Sequence, residues 1–103
     1  MSAYFIVRCT YKNMDYYQDY AKHARQAIDR FNGIFLVKGT EEYFQKEVGI
    51  HQKTVVIEFK TILDAKSCYQ SDEYQKAIKF IDSSSSRDFI IIEGREEIKT
   101  RSS

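Results

Sequence analysis

The chain has 103 residues and a formal net charge of +1, with 16 lysines and arginines against 15 aspartates and glutamates. This length fits one domain without a separate catalytic domain, and the balanced charge provides no field for a polyanion, so we expect no nucleic-acid partner. We expect neither export nor membrane insertion, because Met1 leads without a basic leader into an apolar strand and no run of membrane-spanning length follows.

The first predicted strand covers Ala3–Tyr11, which is rich in aromatic and β-branched residues. Asn13 is a suitable N-cap for a helix that follows at once, and Asn32 with Gly33 predicts the end of that helix. Apolar residues recur at three- and four-residue steps between these limits, which predicts one buried stripe: Tyr17, Tyr20, Ala21, Ala24, Ala27, Ile28 and Phe31.

A second strand is predicted over Ile34–Lys38, closed by Gly39 and Thr40. We expect Glu41–Val48 to extend this strand. The third strand is predicted over Thr54–Phe59, where β-branched and aromatic residues recur.

The second helical stretch begins with a spacing similar to a capping box, since Thr61 is followed three residues later by Asp64. We expect an interruption near Ser71, because a serine before two carboxylates is itself a helix start. Tyr74, Ala77, Ile78 and Ile81 give the second piece its buried stripe.

The last strand is predicted over Asp88–Glu93, after a serine run that ends the helix. We place a single domain at residues 1–95. Residues 96–103 are charged and polar without a period, which predicts a tail that is frayed or lies on a partner.

The order of these elements, βαββαβ, predicts an α+β fold of the ferredoxin-like type with an antiparallel four-stranded sheet. Several strands are apolar on both faces, whereas one layer of helices covers only one face of a sheet. We therefore expect a homodimer in which a second copy covers the other face.

Five blocks of the chain together resemble a family known as a domain of unknown function (domain of unknown function 1330): Ala3–Val7, Phe35–Gly39, Val55–Phe59, Ser71–Gln75 and Ile91–Gly94. The resemblance covers nearly the whole chain. That family belongs to the dimeric α/β-barrel superfamily, so the resemblance implies two ferredoxin-like subunits whose sheets face each other. Relatives in the superfamily include cofactor-independent monooxygenases and lactone isomerases, but this family has no settled activity to carry over.

Arg8 and Glu58 are the first candidates for catalytic residues. Alternation along the strands places both side chains on the open face, and we expect them on neighbouring parallel strands. A charged pair in a mostly apolar cleft would have perturbed ionisation and could orient or protonate a ligand. The alternative is a structural ion pair that fixes strand or dimer register, which is the commoner role of such pairs.

Four further residues are predicted to line the cleft between the two sheets: Tyr4, Ile6, Val56 and Glu93. An aromatic cleft with few polar groups suits a flat, apolar small molecule. The same residue types suit a dimer interface, where Tyr and Phe are enriched.

No metal or cofactor is predicted, because neither His23 nor His51 has metal-ligand spacing to a cysteine and no glycine-rich phosphate loop is present. Cys9 and Cys68 are too few for a disulfide framework and are typical of reduced thiols in a cytoplasmic protein.

Two classes of function remain open on the sequence. One is an enzyme or binder that holds a small apolar or aromatic molecule in the intersheet cleft without a built-in cofactor. The other is a non-catalytic interaction or stress-related module whose cleft is filled by its own side chains. The sequence does not decide whether the protein is an enzyme.

Overall fold

The computed structural model describes residues 1–40 and 43–95 as an antiparallel four-stranded sheet with helices packed on one face. We call this side the helix face and the other side the open face. The elements in chain order are β1 (Ala3–Tyr11), α1 (Met14–Arg30), β2 (Ile34–Thr40), β3 (Lys53–Phe59), α2 (Ile62–Gln70), α3 (Asp72–Ile78), α4 (Ile81–Ser84) and β4 (Ser85–Glu93). The sheet order β2-β3-β1-β4 is that of the ferredoxin-like fold, which confirms the predicted fold class. The predicted tail at 96–103 lies outside the described residues.

The central strand β1 carries the core of the protein. Its odd-numbered residues from 3 to 9 are buried on the helix face, and the residues between them are only partly covered. The ring centroid of Phe5 lies 4.7 Å from that of Phe59, 5.7 Å from that of Tyr74 and 5.0 Å from that of Phe89. Since these three rings belong to β3, α3 and β4, one buried side chain joins two strands and a helix.

Local hydrogen bonds set the ends of α1 as the sequence predicts. The side chain of Asn13 accepts the N–H of Tyr16 at 3.1 Å, so the helix begins at Met14. At the other end Asn32 adopts a left-handed φ of 59°, and the N–H of Gly33 donates to the carbonyl of Ile28 at 2.8 Å. A Cβ at position 33 would lie 2.7 Å from the Ile28 side chain, so glycine permits this close approach.

The predicted interruption at Ser71 is confirmed. Its hydroxyl donates to the carbonyl of Cys68 at 2.7 Å, which ends α2, and accepts the N–H of Tyr74 at 3.2 Å, which starts α3. Thr61 caps α2 in the predicted way by accepting the N–H of Asp64. The last strand begins three residues earlier than predicted, because its first serines pair with the end of β1.

The prediction that the second strand extends over Glu41–Val48 is wrong for residues 43–48, which form no strand, while residues 41 and 42 lie outside the described residues. The register shifts near Gly39, which has a positive φ of 73°, and the ladder with β3 ends at Thr40. Such a shift bends a strand and ends its pairing. Phe44, at 101% relative exposure, consequently packs on nothing in the described chain.

The open face is partly apolar, as the sequence predicts. Ile34, Ile90 and Ile92 are each about half exposed there, while Ile6 and Val56 lie between them on the central strands. Contiguous apolar surfaces on folded chains are typical of interaction sites.

We expect the substitution Ser71→Ala to lower the free energy of unfolding by about 1 kcal/mol, because it removes the side-chain cap that both ends α2 and starts α3. Urea denaturation followed by circular dichroism measures this loss. Ser83→Ala, at an exposed position of α4, is the matched control and should stay within about 0.5 kcal/mol of the unsubstituted protein. A loss no larger than that of the control would show that the cap contributes nothing.

Candidate functional site

Arg8 and Glu58 share the open face, but they do not form the predicted pair. Strands β1 and β3 are antiparallel rather than parallel, and the register places Arg8 opposite Thr54 and Glu58 opposite Tyr4. Four residues of strand separate the two charges, or about 13 Å at the usual rise. The strand direction was mistaken because the β2–β3 connection reverses the chain after the helical crossover. A catalytic role for either residue stays a prediction.

Arg8 instead forms hydrogen bonds that hold the β2–β3 connection against the sheet. Its guanidinium donates to the hydroxyl of Thr54 at 2.6 Å and to the backbone carbonyl of His51. The His51 imidazole is buried, with Nδ1 2.9 Å from the Thr10 hydroxyl and Nε2 3.8 Å from the Asp88 carboxylate. Sequence reasoning missed this polar cluster because its members come from three strands and a loop, and only the position of a histidine just before a strand hinted at it.

The predicted cleft residues do not all lie on one face. Tyr4, Ile6 and Val56 belong to the open face, and the Tyr4 hydroxyl lies 3.5 Å from a carboxylate oxygen of Glu58. Glu93 is the exception, because it pairs with Ala3, whose side chain faces the helices. The prediction that Glu93 faces the intersheet cleft is therefore wrong. For the other three residues, contact with a ligand stays a prediction.

A cavity of the described chain lies on the helix face, between the sheet and α1. It has a volume of about 240 Å³, and seven of its 19 lining residues are aromatic: Phe5, Tyr11, Tyr17, Tyr20, Phe35, Tyr74 and Phe89. The sequence pattern predicts three of these side chains, those of Tyr17, Tyr20 and Tyr74, in the buried stripes of the helices. The pattern does not indicate that the lining side chains would leave a cavity between them.

A cation and two phenols meet at one wall of this cavity. The Arg87 guanidinium donates to the hydroxyl of Tyr20 at 2.8 Å and to that of Tyr74 at 3.3 Å, and the two hydroxyl oxygens lie 2.7 Å apart. Burial raises the pKa of Tyr74 well above its ordinary value. Burial alone would lower the pKa of Arg87, but the two phenol oxygens outweigh that effect and raise it. We call these three residues the Arg87 cluster.

A second pair of phenols lines the cavity farther along α1. The Tyr11 hydroxyl donates to that of Tyr17 at 3.1 Å, and their ring centroids are 3.9 Å apart. Burial raises the pKa of both phenols, so they are neutral donors and acceptors at neutral pH. A side chain at position 39 would crowd the Tyr11 hydroxyl, because its Cβ would lie 3.0 Å from that oxygen.

The ionisable groups of this cavity suit binding better than metal chemistry. Among residues 1–40 and 43–95, no group of three or more His, Cys, Asp and Glu residues is placed to hold a metal ion. Cys9 lines the cavity, and burial raises the pKa of its thiol. The arrangement can hold an apolar body and offer it phenol hydroxyls and cationic side chains.

A family model described as Domain of unknown function (DUF1330) matches residues 2–95. The chain belongs to this family. No curated protein shows significant similarity to this DUF1330 chain. None of the helices in the described part of the chain is both long and apolar enough to cross a membrane.

Solved structures with similar folds share little sequence with the DUF1330 chain. A protein of unknown function from Rhodopseudomonas palustris has a TM-score of 0.74 at 10% identity, with 93% of this chain and 84% of that chain covered. A dimeric ferredoxin-like protein of unknown function from Jannaschia sp. has a TM-score of 0.71 at 12% identity, covering 91% and 100%. SnoaB, a cofactor-independent oxygenase from Streptomyces nogalater, has a TM-score of 0.58 at 10% identity, covering 95% and 97%. At these identities the similarity shows the fold alone.

We expect Arg8→Met to lower the free energy of unfolding by about 1–3 kcal/mol, because it leaves the His51 carbonyl and the Thr54 hydroxyl without their charged donor. Glu58→Gln should stay within about 0.5 kcal/mol, since its one described hydrogen bond is long. Chemical denaturation of both variants measures the difference. Equal losses would indicate that the two residues do act as a pair.

We expect the free energy of unfolding to fall as pH rises above 9. Burial raises the pKa of the Cys68 thiol to about 12 from 9.0, so the folded state keeps a proton that the unfolded chain loses. The resulting stabilisation is complete below pH 9 and is lost progressively as pH approaches 12.

Urea unfolding between pH 7.5 and 10.5 tests this, with Cys68→Ala as the comparison. The variant is less stable throughout, but its stability should decline less steeply above pH 9. Identical slopes would mean that the thiol ionises as readily in the folded state as in the unfolded chain.

Proposed function

We propose that the protein binds a small, planar and largely apolar molecule in the cavity between α1 and the sheet, without a resident cofactor. The observation that carries this proposal is the cavity itself, whose aromatic walls surround a few convergent polar groups. Such a combination is typical of small-molecule sites. It also favours a binding protein over a module whose space is filled by its own side chains.

We propose binding of such a molecule and no reaction on it. The related fold of SnoaB belongs to a cofactor-independent oxygenase, so this architecture is compatible with chemistry on a bound organic molecule. A shared fold does not carry an activity from one chain to another. The residues of the cavity support recognition of a ligand, so the experiment below measures the binding of aromatic probes.

We also propose that two copies associate through their open faces. The half-exposed isoleucines of this face support the proposal, and the neighbour from Jannaschia sp. is described as dimeric. Two sheets packed face to face would form a barrel and leave the helix-side cavity of each subunit on the outside of that interface.

The free, buried thiols of Cys9 and Cys68 support a reducing compartment such as the cytoplasm.

We expect Ala24→Phe to abolish binding of aromatic probes, because Ala24 lies on α1, buried against the cavity, and a phenyl ring there would occupy the space. Calorimetric titration with 2-naphthoate and its neutral near-isostere 2-acetonaphthone measures binding. Gln26→Phe, on the exposed side of the same helix, is the matched control and should bind as the unsubstituted protein does.

Circular dichroism establishes whether each variant folds, since overpacking costs about 1–3 kcal/mol. If Ala24→Phe does not fold, the smaller substitution Ala24→Leu takes its place. The proposal fails if the unsubstituted protein binds neither probe, or if the folded, filled variant binds as well as the control.

We expect Ile90→Lys to dissociate the dimer, because it places a charge in the apolar open face that the second copy would cover. Sedimentation velocity across a concentration series measures the monomer fraction. Leu63→Lys is the control, since Leu63 is 69% exposed on α2, at the helix side of the sheet. A monomeric unsubstituted protein, or equal dissociation in both variants, would contradict this assembly.

A further inference from the structure

We propose that the ligand of the helix-side cavity is an organic anion and that the Arg87 cluster receives its acidic oxygen. This inference rests on the proposed function and deepens it by naming the chemical class of the ligand. It predicts an aromatic or other planar apolar body with a carboxylate, enolate or phenolate group directed toward Arg87.

The charges around the cavity are all of one sign. Arg25, Lys38 and Arg87 contribute to the lining, and no lining residue within the described part of the chain carries a carboxylate. The protein as a whole has nearly equal numbers of acids and bases, so this cationic lining differs from the average of the chain. A cleft with cations of one sign and low-dielectric walls concentrates anions.

Arg87 lacks the acidic partner that partly buried cations usually have. Its described partners are the hydroxyl groups of Tyr20 and Tyr74, and none of the described carboxylates lies within 4.0 Å of it. Arg30 shows the usual arrangement, because it donates to both carboxylate oxygens of Glu73 at 2.8 Å. Since removing a charge from water is costly unless that charge is paired, an anion bound beside Arg87 would be favoured.

The guanidinium of Arg87 is also held in a position to bind. Its central carbon lies 4.6 Å from the ring centroid of Phe89 and 5.3 Å from that of Tyr20, so two aromatic faces restrict its motion. The described hydrogen bonds use only Nη1. The N–H groups of Nη2 and Nε are therefore the donors left for a ligand, and their fork geometry matches the two oxygens of a carboxylate.

The other two cations lie beside Phe35 on β2. The Arg25 guanidinium and the Lys38 ammonium lie 5.7 Å and 5.2 Å from the ring centroid of Phe35, and both side chains are exposed. Exposed charges of this kind attract an anion from solution, but they hold it weakly because water and salt screen them. Arg87 is accordingly the residue that decides the class of the bound molecule.

The test compares the affinities of 2-naphthoate and 2-acetonaphthone, which differ mainly in charge. We expect the unsubstituted protein to bind 2-naphthoate at least about tenfold more tightly, the size of effect usual for hydrogen bonds to a charged group. Arg87→Met should remove that preference, because it lowers the affinity for 2-naphthoate much more than the affinity for 2-acetonaphthone. Arg30→Met, which removes a surface cation paired with Glu73, is the matched control and should keep the preference.

Each outcome bears on a different proposal. Equal binding of the two probes by the unsubstituted protein would overturn the anion inference and leave the proposed function standing. No binding of either probe would overturn the proposed function. If Arg87→Met does not fold, Arg87→Gln replaces it, and an unchanged preference in a folded, uncharged Arg87 variant would show that Arg87 does not receive the charge.

Discussion

The burial of Phe5 between the rings of Phe59, Tyr74 and Phe89 positions the elements around the central strand. Because side chains alternate along a strand, the burial of Phe5 places its odd-numbered neighbours in β1 on the helix face and the even-numbered residues on the open face. A slip of one residue would exchange the two sets and expose the core. The burial of Phe5 therefore determines that the cavity lies on the helix face and that the uncovered apolar surface lies on the open face.

The cavity results from the sizes of the side chains that α1 turns toward the sheet. Ala21 and Ala24 are small, whereas Tyr17 and Tyr20 are long and reach sideways to hydroxyl partners rather than filling the space beneath the helix. Paired hydroxyls satisfy each other, so the walls hold polar groups without a desolvation penalty. The protein thereby combines a packed core with a cavity wall of phenol hydroxyls in which Arg87 is the cation that they bind.

Local patterns predicted the fold well because the forces behind them act over a few residues. The bounds of β1, the caps at Asn13 and Thr61 and the break at Ser71 all depend on neighbours in the chain. The direction of β3 relative to β1 depends on the whole path between them, so the expected proximity of Arg8 and Glu58 was wrong. The cavity could not be predicted, since periodicity identifies which side chains face inward but not the volume they leave empty.

The tyrosine content of the cavity has a spectroscopic consequence. The chain contains no tryptophan and eight tyrosines, and four of these, Tyr11, Tyr17, Tyr20 and Tyr74, line the cavity. Tyrosine emission is normally obscured by energy transfer to tryptophan, but here it dominates the intrinsic ultraviolet fluorescence of the protein, since phenylalanine emits only weakly. Occupancy of the cavity by a molecule that accepts excitation energy would therefore quench a large share of that emission, and the native protein would report its own ligand without a label.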